Sequence, residues 1–176
     1  MASLSALQKK ITEALAPLYD TREAEAIARL YLQTRSGVAR ALWPIHPDAP
    51  LDEAQTAADL ARLAQGEPVQ YVLGQAHFMD CVLEVTPDVL IPRPETEELV
   101  LWARTLTDAP TLVVDAGTGS GCIAIALQRG WPQAQVVGLD VSPGALAVAR
   151  RNGARWAPAV VWRQMDMLSA GAGDFA

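Results

Sequence analysis

The chain has 176 residues, is 51% apolar and carries a net charge of −6. That is enough apolar material for one or two packed domains. The acidic balance argues against a general or sequence-specific nucleic-acid binder, which needs a basic face.

Residues 1–70 read as helices. Leu4, Leu7, Ile11, Leu15 and Leu18 recur at helical spacing, and Pro17 and Asp20 end the pattern, with Thr21 expected to cap the next helix. Ala24, Ile27, Ala28, Tyr31 and Leu32 form a second stripe. Ser36-Gly37 breaks it, a short helix runs to Trp43, and Pro44, Pro47 and Pro50 make a loop. Asp52–Gln65 is an Ala/Leu helix stopped by Gly66. Short helices with small apolar faces predict a compact bundle without catalytic side chains.

The pattern changes at Val69. Gln75–Phe78 and Val82–Val85 are short β-like runs that suit a hairpin, so 71–90 reads as a β-hairpin linker and 91–176 as a second domain. Pro92 and Pro94 force an extended path around Arg93, and Pro94 opens a helix with Glu95, Glu97 and Glu98 in its first turn. Cys81 and Cys122 lack metal-site spacing and read as small buried hydrophobes in a reducing, cytoplasmic setting. His46, in the proline loop, and His77, in the hairpin, read as structural. Met1–Ile11 lacks the apolar core of a secretory signal. The longest apolar window, Leu112–Leu127, is broken by Asp115 and three glycines, so no membrane span is expected.

That window is the chain's most informative stretch. The run Leu112–Val114 suits a parallel strand covered on both faces. Gly117, Gly119 and Gly121 allow positive φ and close approach of a ligand to the backbone. The Ala/Ile helix that follows aims free N–H groups and its positive end at the turn. This is the arrangement of a nucleotide-type cofactor site at the carboxyl end of a first strand. Val136–Leu139 is a second buried strand ending in Asp140, placed to accept hydrogen bonds from ribose hydroxyls, or else only to cap the helix opened by Ser142. After a third strand, Val160–Trp162, Asp166 and Met167 are placed to meet an adenine amine and ring face; an ordinary loop acid and a core methionine remain the alternative. Asp115 is expected to hold N–H groups of the glycine loop. Ser169–Gly173 reads as a loop. Strand–helix–strand–helix–strand is the first half of a doubly wound α/β sheet.

Several of these segments together resemble the HemK/PrmC family of peptide-chain release factor glutamine methyltransferases. They are Ile91-Pro92-Arg93-Pro94-Glu95-Thr96-Glu97, Asp115-Ala116-Gly117-Thr118-Gly119-Ser120-Gly121-Cys122-Ile123-Ala124, and Gly138-Leu139-Asp140-Val141-Ser142 with Ala145, Leu146, Ala149 and Asn152. Gly66-Glu67-Pro68-Val69-Gln70-Tyr71 with Gly74 is similar to that family's linker. The resemblance implies a helical N-terminal domain (1–70) that recognises release factors, a hairpin linker and a Rossmann-like methyltransferase domain using S-adenosyl-L-methionine. It implies that Gly117, Thr118, Gly119, Ser120 and Gly121 line the methionine and ribose part of that cofactor, that Asp140 holds the ribose, and that Arg93–Glu97 lies across the pocket mouth. Met167 stands where many relatives place an aromatic beside adenine.

The family's acceptor motif, Asn-Pro-Pro-Tyr, does not occur in residues 1–176. The fourth strand that precedes it is expected to begin at Asp174-Phe175-Ala176. The sequence therefore reads as a C-terminally truncated enzyme that is inactive and leaves its first strand as an unpaired edge. The competing readings are a methyltransferase acting on another amino group, of a nucleic-acid base or a ribosomal protein, a nicotinamide oxidoreductase, and a non-catalytic release-factor-binding module. The spacing Gly-x-Gly-x-Gly disfavours the oxidoreductase.

Overall fold

The computed structural model describes residues 3–47, 51–108 and 110–168. Pro50, the loop expected at Ser169–Gly173 and the strand expected from Asp174 lie outside the described residues. The chain divides into two compact units, Met1–Leu73 and Gly74–Ala176.

In the first unit, α1 spans Leu4–Leu15 and α2 spans Thr21–Ser36. Asp20, not Thr21, caps α2, and its carboxylate accepts the Glu23 N–H at 2.8 Å. A charged acceptor suits the positive helix end better than a hydroxyl, and Thr21 becomes the first helical residue. Gly37, at φ 69°, ends α2. A 3₁₀ turn at Arg40–Leu42 leads to Trp43, whose indole N–H donates to the Val38 carbonyl. Asp52 caps α3 (Glu53–Leu63), and α4 is a single turn and a half, Val69–Leu73, started at Pro68. Leu4, Ile11, Leu15, Ala28, Tyr31, Leu32, Trp43, Leu63 and Val72 share one apolar core.

Within that core, Asp59 is fully buried. Its carboxylate accepts from the Tyr31 hydroxyl (3.1 Å), Arg35 Nε (2.9 Å) and Gln55 Nε2 (2.7 Å). Arg35 also donates to the Val72 carbonyl at 3.1 Å, so one buried ion pair ties α2, α3 and α4 together. Burial pushes the Tyr31 phenol up.

The second unit opens with the antiparallel hairpin β1 (Gln75–Phe78) and β2 (Cys81–Glu84). It continues with α5 (Pro94–Leu106), β3 (Leu112–Ala116), α6 (Cys122–Gly130), β4 (Gln135–Asp140), α7 (Pro143–Trp156) and β5 (Val161–Gln164). β3, β4 and β5 form a parallel sheet in that order, with Val113 opposite Val136 and Gly138 opposite Trp162. Among the described residues β3 is an edge of this sheet.

The hairpin is packed into this unit. Phe78, Cys81 and Leu83 share a core with Val100, Ile125, Leu127 and Val136. Trp156 Nε1 donates to the Val82 carbonyl at 2.9 Å, and Arg151 grips the Glu84 carboxylate through Nε and a terminal nitrogen. At the hairpin turn Met79 takes φ 52°, rare for a residue with a side chain. Its N–H is held by Glu97 Oε1 at 2.6 Å.

Among the described residues β3 is covered on one face only. Val113 packs on the core and Asp115 is buried, but Leu112 and Val114 remain 43% and 37% exposed. An apolar run such as Leu112–Val114 reports a strand's hydrophobicity, not whether both faces carry a layer.

Candidate functional site

The site lies where β3 and β4 end. After Ala116 the chain turns through Gly117, Gly119 and Gly121 at φ 74°, 54° and 82°, all in the left-handed region open to glycine. The turn is pinned to β4: Gly117 and Thr118 both donate their N–H to the Leu139 carbonyl at 2.8 Å, and Gly119 donates to Asp140 Oδ2 at 2.9 Å. The other carboxylate oxygen of Asp140 accepts the Ser142 N–H at 2.9 Å. Each Asp140 oxygen thus holds one backbone N–H and keeps capacity for another donor.

The three glycines differ in what surrounds them. A Cβ at Gly117 would meet nothing within 4 Å, and one at Gly119 would meet only the Gly117 carbonyl at 4.0 Å. This side of the turn is open. At Gly121 a Cβ would lie 2.7 Å from the Trp162 ring, and the same indole fills the places of a Cβ at Gly138 (2.5 Å) and Gly153 (2.7 Å). Trp162 therefore sits beneath the turn in a slot that three glycines leave.

Thr118 and Ser120 are buried and turned inward. The Thr118 hydroxyl donates to Asp115 Oδ2 at 2.6 Å, and the Ala124 N–H reaches the same oxygen at 3.2 Å. Burial pushes the Asp115 carboxyl up; these two bonds pull it down and the Asp140 charge pushes it up again. Burial also pushes the neighbouring Cys122 thiol up to about 11. Both cysteines are free and buried, as the sequence suggests.

The segment after β5 comes alongside. The Met165 N–H donates to the Asp140 carbonyl at 3.0 Å, and Gln164 Nε2 donates to the Val141 carbonyl at 3.1 Å. Asp166 and Met167 follow at once and are exposed; Asp166 Oδ1 accepts the Leu168 N–H at 2.9 Å. The expected set of Gly117–Gly121 and Asp140 is thus directly hydrogen-bonded, with Asp166 and Met167 one and two residues past a bonded neighbour. Arg93 is exposed, while Glu97, from the segment expected across the pocket mouth, is anchored to the hairpin turn at Met79.

Within the turn, the N–H groups of Gly117, Thr118, Gly119 and Gly121 donate inside the protein, as does that of Ala124 in the first turn of α6. A pyrophosphate cradle depends on N–H groups aimed outward. Here four of the five N–H groups from Gly117 to Gly121 are taken up, and the Asp140 carboxylate stands at the turn. That setting suits a ligand offering hydroxyls and positive charge, and opposes a polyanion. Two residues that organise the turn, Trp162 and Asn152, are not among the residues expected at the site; Trp162 carries no site signal in the sequence, and Asn152 enters there only through the family resemblance of its helix.

Comparison with known proteins agrees with this geometry. Residues 6–74 match the family model of the PrmC N-terminal domain, and residues 113–175 match a methyltransferase domain model. Among curated relatives, the release factor glutamine methyltransferase of Flavobacterium psychrophilum is 38% identical over 151 residues, covering 81% of this chain and 53% of that protein. The chain belongs to the HemK/PrmC family. The enzyme of the same name from Koribacter versatilis is 38% identical over 156 residues, covering 86% of this chain and 56% of its own. That from Bacteroides thetaiotaomicron is 48% identical over 110 residues, covering 62% and 39%. The chain thus spans about half the length of the HemK/PrmC relatives it matches.

Proposed function

We propose that residues 1–176 supply the donor side of a methyl transfer to the side-chain amide of a release-factor glutamine, with S-adenosyl-L-methionine as donor. The observation that carries this reading is the turn itself, with the N–H groups of Gly117, Thr118, Gly119 and Gly121 taken up internally, an open face at Gly117 and Gly119, and Asp140 with acceptor capacity to spare. These residues fit the group: no Cβ fills the open face, and the Asp140 carboxylate favours hydroxyl donors and a sulfonium over a pyrophosphate.

When bound, the cofactor supplies a methyl group made electrophilic by its sulfonium. Asp140 accepts from the ribose hydroxyls with the lone pairs its two backbone donors leave. The backbone of Gly117–Gly119 lets the methionine and ribose part approach closely, while Thr118, Ser120 and Gly121 shape the turn from within. Asp166 accepts from the adenine amine, and Met167 lays a polarisable surface against the ring. An amide nitrogen is a poor nucleophile, so acceleration rests on positioning. Residues 1–176 contain no Asn-Pro-Pro-Tyr to position it, and this polypeptide alone is expected to bind the donor without transferring its methyl group. The N-terminal helical unit is assigned to release-factor recognition.

The test is calorimetric titration of the 176-residue chain with S-adenosyl-L-homocysteine, NAD and pyrophosphate, with Asp140→Ala as control. Saturable binding of the first alone, lost in the variant, supports the reading. Binding of NAD or pyrophosphate without S-adenosyl-L-homocysteine contradicts it.

A further inference from the structure

The Asn152 side chain joins three segments. It lies on α7, is 3% exposed and uses both ends of its amide. Nδ2 donates to the Ser120 carbonyl at 2.9 Å and to the Glu84 carbonyl at 3.0 Å, while Oδ1 accepts the Glu84 N–H at 2.7 Å. Toward β2, then, the side chain behaves like one residue of a neighbouring strand, pairing with both the N–H and the C=O of Glu84. Its remaining proton reaches into the glycine turn, between Gly119, which is bonded to Asp140, and Gly121, which opens α6.

We propose that Asn152 is a positioning residue that fixes the glycine turn to the hairpin, so that affinity for the cofactor depends on how the hairpin is seated. The claim rests on the reading of this turn as a cofactor site. No other side-chain type makes the same three bonds at this reach. Asp keeps the acceptor for Glu84 N–H but places a second acceptor oxygen against two carbonyls, and Ala loses all three bonds. Asn152 need not touch the ligand: it is itself buried and acts on the turn through the carbonyl of the buried Ser120. The adjacent Arg151–Glu84 ion pair supplies an internal control, because it holds the same hairpin residue through the side chain and makes no bond to the turn.

The experiment is amide hydrogen exchange by NMR on the ligand-free 176-residue chain, paired with titration of S-adenosyl-L-homocysteine. Variants are Asn152→Ala, Asn152→Asp and Arg151→Ala. Losing the bond to Ser120 is expected to speed exchange at Gly119 and Gly121 about tenfold and to weaken ligand binding by a similar factor in both Asn152 variants. In Asn152→Asp the Glu84 amide stays protected. Arg151→Ala is expected to leave the glycine amides and the affinity within about twofold of wild type, although it removes a pair on the same hairpin residue. In the wild type, the amides of Glu84, Gly119 and Gly121 are expected to open together with a common urea dependence, which needs no variant to fold. Independent opening of Glu84 and the glycines, unchanged glycine exchange in the Asn152 variants, or an equal effect from Arg151→Ala overturns the proposal. If exchange follows Asn152 but S-adenosyl-L-homocysteine does not bind the wild type, the cofactor reading fails and the positioning role stands. If the ligand binds and exchange ignores Asn152, the reverse holds.

Discussion

Two glycines of one turn should fail in opposite ways when each gains a methyl group. Both Gly119 and Gly121 sit at positive φ, 54° and 82°. An L-residue there costs about 1–2 kcal/mol, less roughly 0.4–1 kcal/mol recovered from the stiffer unfolded chain. For Gly119→Ala that is nearly the whole cost, since only the Gly117 carbonyl lies as near as 4.0 Å. The net loss of stability is expected near 1 kcal/mol. The new methyl occupies the open side, so affinity for S-adenosyl-L-homocysteine should fall by at least about tenfold, the equivalent of ~1.4 kcal/mol of lost contact. For Gly121→Ala the Cβ meets Trp162 at 2.7 and 3.2 Å and Ala149 Cβ at 3.3 Å. Overpacking adds about 1–3 kcal/mol, for a total near 2–4 kcal/mol. Urea denaturation followed by circular dichroism, with calorimetric titration of the folded protein, measures both quantities. Replacing Trp162 by Phe in the Gly121→Ala background should return part of the loss, a coupling that a double-mutant cycle isolates. Equal destabilisation by the two alanines, or full ligand affinity in Gly119→Ala, would refute the division of the turn into an open and a filled side.

Other outcomes follow from the remaining contacts. Arg35→Met leaves the fully buried Asp59 without its cation, and should cost about 3 kcal/mol in urea denaturation, at the low end for a broken buried pair because Arg35 is itself partly exposed. Arg151→Ala should cost roughly 0.2–1 kcal/mol at neutral pH, as both partners are substantially exposed. The hydrogen bond from Arg151 holds the Glu84 carboxyl below its ordinary value. The pair's contribution is therefore present above the unfolded value, about 4.3, and lost as pH falls through the lower folded one, so wild type and variant should converge in acid melts. With its thiol pushed up to about 11 by burial, Cys122 should be alkylated by iodoacetamide at pH 8 only after unfolding, and rapid labelling of the native protein would contradict its burial.

The sequence carries those features that depend on neighbours in the chain. The alternation of strands and helices from Leu112 to Trp162, the positive-φ glycines and Asp140 at a strand end are local patterns, and the fold has them in place. Long-range placement is not written that way. Trp162 is an unremarkable strand residue until the fold brings Gly121, Gly138 and Gly153 around its ring. The hairpin reads as a linker because its few apolar residues alternate weakly, yet Phe78 and Leu83 meet α6 and β4 in one core. Asp115 is expected from the sequence to hold N–H groups of the glycine loop, yet in the fold the Leu139 carbonyl and Asp140 take those of Gly117, Thr118 and Gly119, and Asp115 takes the Thr118 hydroxyl and the Ala124 N–H of α6. Asp20 displaced Thr21 as a cap because two adjacent residues compete for one position, and charge decides it.

Titration of the chain with S-adenosyl-L-homocysteine in the presence and absence of Asp140 tests the central claim most directly. One saturable site per chain is expected, abolished by Asp140→Ala while circular dichroism shows the fold retained. Undiminished binding in a folded Asp140→Ala variant, or binding of NAD in place of S-adenosyl-L-homocysteine, would contradict a donor site built on the glycine turn and Asp140.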